Sequence, residues 1–78
     1  MRTEYQYFVD VENDNNDEFV NIHKGDDMDA AKQAYKEYKF QDGDTRVQLS
    51  RCELIWRYEE QKTPDTDLPR LLEERYNY

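Results

Sequence analysis

Residues 4–12 alternate in polarity. Tyr5, Tyr7, Val9 and Val11 fall on one side of an extended chain, and Glu4, Gln6, Asp10 and Glu12 on the other. This period predicts a half-buried β-strand. Phe8 breaks the pattern as an apolar residue on the polar side. A second short strand is predicted at residues 19–23, Phe-Val-Asn-Ile-His. Between them runs Glu12-Asn13-Asp14-Asn15-Asn16-Asp17-Glu18. Asn and Asp tolerate left-handed backbone angles and bond to their own backbone, so this stretch reads as a hairpin turn.

The period then changes. Gly25 and Asp26 stop the second strand, and Asp26 or Asp27 is placed to cap a helix. Met28, Ala31, Ala34 or Tyr35, and Tyr38 recur at helical spacing. Asp29 lies in the first turn, and Lys32, Lys36 and Lys39 crowd toward the other end, as the helix dipole favours. Asp42-Gly43 ends the helix. From Thr45 to Glu59 the alternation returns, first on odd positions (Val47, Leu49) and then on even ones (Cys52, Leu54, Trp56, Tyr58). This change of parity predicts one long strand with a bulge near Ser50–Cys52, because a bulge adds a residue and re-aims the faces. Residues 61–67 read as a linker. Asp67, with Pro69 in the first turn, predicts a short C-terminal helix carrying Leu68, Leu71, Leu72 and Tyr76 on one stripe.

The expected fold is α+β. Residues 1–60 form a small ββαβ domain, a three-stranded antiparallel sheet with one helix across a face, and residues 68–78 form a short C-terminal helix or tail.

Composition narrows the reading. At 78 residues one thin core is expected. Seven Tyr, three Phe and one Trp argue against a disordered chain despite 38% charged residues. The single cysteine, Cys52, excludes an intramolecular disulfide. No apolar run approaches the length of a membrane span, and Arg2 is followed by no hydrophobic leader core. A cytoplasmic protein is the expectation. The formal charge is −8, and residues 1–31 carry −7 of it. Such a surface repels nucleic acid and suits a basic protein partner.

Candidate chemistry is sparse. The acidic turn fits no register of an EF-hand loop, which needs Gly at its sixth position and Glu at its twelfth. His23, the only histidine, has no Ser or Cys neighbour in sequence, and Cys52 reads as a small buried hydrophobe. There is no GxGxxG, P-loop, HExxH, CxxC or GxSxG. No cofactor or metal is expected, and the chain does not read as an enzyme. Arg46, Arg51 and Arg57 with Lys32, Lys36 and Lys39 could build a basic face for a nucleic-acid-binding regulator.

The layout of YQYFVDVE, a turn, DDMDAAKQAYKEYK and TRVQLSRCELIWRYEE resembles that of small acidic phage and mobile-element proteins of the anti-CRISPR or anti-defence type. The resemblance spans residues 4–60 and rests on size, charge and element order. It implies a non-enzymatic inhibitor that acts as a DNA mimic in the host cytosol. The partner it implies is a basic host protein or nucleoprotein complex, whose nucleic-acid-binding surface is blocked. The residues expected to make the contact are Asp10, Glu12, Asp14, Asp17, Glu18, Asp26, Asp27 and Asp29, with Tyr5, Tyr7 or Tyr35 as anchors. A small assembly module, using an edge strand or an aromatic face and including a homodimer, is the alternative.

Overall fold

The computed structural model describes residues 1–15 and 18–78. Strands β1 (Arg2–Asn13) and β2 (Val20–Gly25) form the hairpin, and helix α1 (Met28–Glu37) follows. Then come β3 (Asp44–Trp56), β4 (Asp65–Thr66) and β5 (Arg70–Tyr76). The strands make one antiparallel sheet of five. Across it the order is β2, β1, β3, and then β4 and β5 in succession along the far side of β3, at Leu54–Ile55 and Arg46–Arg51.

The expected three-stranded sheet with a second helix is therefore not what forms. Leu68, Leu71, Leu72 and Tyr76 have helical spacing, but an isolated helix of about ten residues is marginal in water. The free edge of β3 offers the same residues backbone partners. A register shift between Leu49 and Ser50 makes Leu72 an extra residue of β5. Leu72 packs against the core, while Leu71 stands opposite Ser50 on the other face. The segment 61–67 contains β4, and Asp67 N donates to Glu53 O at 3.1 Å. Asp67 caps no helix; its Oδ1 accepts from Leu68 N at 2.8 Å.

The bulge expected near Ser50–Cys52 is also absent from the central pair. β1 and β3 stay in register from Arg2↔Trp56 to Glu12↔Arg46. The parity change has another cause. A ten-residue helix spans about 15 Å and a thirteen-residue strand about 43 Å. α1 can cover only part of the sheet. Under it, Val47 and Leu49 pair with Val11 and Val9. Beyond it, Cys52, Leu54 and Trp56 alternate onto the opposite face. There Cys52 Sγ lies 3.3 Å from Asp67 O, and the Arg2 guanidinium sits 5.0 Å from the Trp56 ring centre.

The core beneath α1 comprises Tyr7, Val9, Val11, Val47 and Leu49 from the sheet, with Ala31 and Tyr35 from the helix. Ala31 is fully buried, so its small side chain sets how closely the helix approaches. The helix is fixed at both ends. Asp27 Oδ1 accepts from Asp29 N at 2.9 Å and Ala30 N at 3.3 Å. At the other end, Arg75 Nη2 donates to the carbonyls of Tyr38 (2.6 Å) and Tyr35 (3.4 Å). Its guanidinium also lies against the Tyr35 and Phe40 rings, at 5.5 and 5.1 Å. A cation at this end complements the dipole, and here it comes from the C-terminal strand.

Between α1 and β3 the chain turns at Gly43, whose φ of 87° is natural only to glycine. The next residue, Asp44, is 7% exposed. Its carboxylate accepts from Tyr38 OH (2.5 Å), Gln41 N (2.7 Å) and Asn13 Nδ2 (2.9 Å). Burial pushes this carboxyl up, but the hydrogen bonds outweigh it and hold the group below its ordinary value. Tyr38 is pushed up to about 12, by burial and by its bond to Asp44.

Candidate partner-binding surface

The uncovered face of the sheet is built from the even positions of β1 and β3 and their partners in β2 and β5. Phe8, the exception to alternation, explains itself here. With Phe19, Pro69 and Leu71 it lines a shallow groove of about 370 Å³, bordered by Gln48 and Ser50. Phe19 and Leu71 are 41% and 47% exposed. Sequence reasoning missed Leu71 because it placed that residue on a helix; Phe8 was the available signal.

Five of the six arginines have aromatic, carboxylate or carbonyl partners within the fold. Arg46 lies between the rings of Phe19 (5.2 Å) and Tyr76 (5.6 Å) and pairs with Glu12 (3.0 Å) and Glu74 (3.5 Å). Its bonds to Tyr76 and Glu12 raise its pKa further, so it is charged at any working pH. Arg51 stacks 4.6 Å from the Tyr5 ring, Arg57 pairs with Asp65 at 2.9 Å, and Arg2 with Glu4 at 3.3 Å. Arg46 and Arg51 have opposite parity on β3 and so lie on opposite faces, while Arg57 follows its far end. These three do not form one basic face.

The predicted acidic residues divide into groups. Asp10 and Glu12 are on the uncovered face, where Asp10 accepts from Asn21 Nδ2 (3.0 Å) and Glu12 from Thr45 Oγ1 (2.9 Å) as well as from Arg46. Asp14 and Glu18 flank the hairpin tip. Asp17 lies outside the described residues. Asp26, Asp27 and Asp29 follow β2, and Asp27 is committed to the helix cap. The tip and the helix start thus stand at opposite ends of β2, roughly 20 Å apart. Among the described residues Asp14, Glu18, Asp26 and Asp29 form no ion pair. Tyr7 and Tyr35 are buried in the core and are unavailable as anchors; Tyr5 is 41% exposed.

His23 pairs with Val9 and Cys52 with Gln6, so their side chains lie on opposite faces and make no dyad. Among the described residues no three His, Cys, Asp or Glu side chains converge as they would on a metal ion. No described helix is long and apolar enough to cross a membrane. Neither a known protein family, nor a curated protein, nor a solved structure matches this chain.

Proposed function

We propose that the protein is a non-enzymatic binding protein for a basic protein surface, acting as an inhibitor that occupies a nucleic-acid-handling face of its target. The observation that carries this reading is the segregation of charge. Five of the six arginines are held over aromatic rings, against carboxylates or on backbone carbonyls at the helix end; Asp14, Glu18, Asp26 and Asp29, like Arg70 and the five lysines, form no ion pair among the described residues, and the balance is a net charge of −8. A partner therefore meets an excess of carboxylate, which suits arginine forks and repels phosphate. The test is capture of partners by the tagged chain from a nuclease-treated bacterial lysate, washed at rising salt. A basic nucleic-acid-handling complex released by salt is expected. Retention of a polynucleotide instead would overturn the reading.

The groove beside Phe8 favours a second reading, an assembly module that docks through apolar contact. Its partner would stay bound at high salt, because apolar contacts are little screened.

A further inference from the structure

Resting on that reading, we infer that the free edge of β2 is where the partner binds, by adding an extended segment that is basic at both ends. β2 is the terminal strand of the sheet, with no strand beyond it. An unpaired edge presents backbone N–H and C=O groups, and strand addition uses them for affinity while alternate side chains supply specificity. Three features of this edge suit that mode.

The first is apolar. Val20 and Ile22 are 47% and 41% exposed. With Val11, Tyr38 and Gln41 they line a groove of about 260 Å³ beside the edge. A side chain of an added strand would rest there. The second is that the strand's bulge, a device that otherwise twists an edge away from added strands, is satisfied from within. Ile22 is the extra residue between the pairs Val9↔His23 and Asp10↔Asn21. Asn21 Nδ2 fills the irregularity by donating to Val9 O at 3.3 Å and His23 O at 2.8 Å. The third is charge. Asp14 and Glu18 precede the strand and Asp26 and Asp29 follow it, so carboxylates flank both ends and outnumber Lys24, which lies 5.9 Å from the Phe8 ring.

The charge pattern also decides against a second copy of this chain. Antiparallel pairing of β2 with its own copy about a two-fold axis would bring Glu18 of one chain toward Asp26 of the other, at both ends of the contact. Like charges facing each other across strands destabilise pairing. A segment with Lys or Arg at each end and a short alternating apolar centre meets every feature of the edge.

The test uses the full chain and a labelled, blocked peptide with an alternating Val/Thr centre and a pair of lysines at each end. Anisotropy reads affinity, and amide hydrogen exchange locates the contact. Saturable binding is expected, with slowed exchange at residues 20–23. Methylating alternate peptide amides should abolish binding while leaving its charge intact. The variant Glu18→Lys with Asp26→Lys should bind about tenfold more weakly, an effect the size of a few exposed ion pairs; its circular dichroism should match that of the parent. Equal binding of the methylated peptide, protection at β5 instead of β2, no binding at all, or a β2-paired homodimer would each overturn the inference. Failure here together with salt-sensitive capture of a basic complex removes the edge and leaves the proposed function standing. Binding at β2 without such capture does the reverse.

Discussion

Replacing Asp44 by Ala removes one acceptor group from three donors at once. Tyr38 OH, Gln41 N and Asn13 Nδ2 all point at a carboxylate that is 7% exposed. A hydrogen bond to a charged group contributes about 1.5–3 kcal/mol, and donors that share one acceptor are not additive. The expected loss is about 3 kcal/mol, or a fall in Tm of roughly 12–24 °C for a domain of this size. Asp44→Asn keeps the shape and one oxygen. It can still accept from Tyr38 and Gln41, which share Oδ2, but it presents an amide to Asn13. About half the loss is expected. The pH dependence separates charge from shape. The carboxyl is held below its ordinary value in the fold, so its contribution is present above the unfolded pKa of about 3.9 and is lost as pH falls through the folded value. Urea melts of the parent at falling pH should show that loss, and Asp44→Asn should lack it. An Asp44→Ala variant melting within about 3 °C of the parent would refute this account, since it corresponds to less than one hydrogen bond.

Other outcomes follow from the same geometry. Tyr38 is raised to about 12 in the fold, so its contribution is intact below pH about 10 and declines as pH rises through 12; Tyr38→Phe should remove that alkaline loss, read by melts at pH 9 to 12. Arg75→Ala removes the cation over Tyr35 and Phe40 and the donor to the helix carbonyls; a loss of about 1–3 kcal/mol is expected, with amides of the last turn of α1 exchanging faster, and Arg75→Lys should restore part of it. Gly43→Ala meets a positive φ and places Cβ 3.0 Å from Asn13 Oδ1, so a cost of about 1–2 kcal/mol is expected in urea melts. The Cys52 thiol is buried, and its reaction with an aromatic disulfide reagent should accelerate strongly in denaturant.

What was legible in the sequence was what local periodicity encodes. Tyr5 through Val11 alternate and form β1; Met28 to Tyr35 keep helical spacing and lie on α1, with Asp27 as the cap, but the helix ends at Glu37 and not at Asp42-Gly43. Two elements were hidden because their pattern answers to a distant partner. Leu71 and Leu72 look helical as adjacent apolar residues, and only the register shift against Ser50 lets a strand use both. The parity change in β3 looks like a bulge, yet it records a helix too short for its sheet. Site residues fared similarly. Asp14, Glu18, Asp26, Asp27 and Asp29 are exposed, while Asp10 and Glu12 are half-buried; Tyr7 and Tyr35, expected as anchors, went to the core that their phase along the strand and helix marks. The enclosure of Arg46 has no signature along the chain, since it meets Glu12, Phe19 and Tyr76 only once three strands assemble.

The two-sided burial along β3 gives the molecule a built-in reporter. Its single tryptophan, Trp56, stands at the end of the sheet that α1 does not reach, while the helix sits wholly on the other half. Indole fluorescence and helical circular dichroism therefore watch separate ends of one sheet, in a molecule 46 Å in its longest dimension. Superimposable melts from the two signals would mean that β1 and β3 transmit cooperativity along their whole length. A fluorescence transition that comes first would identify the Trp56 end as an independently opening unit.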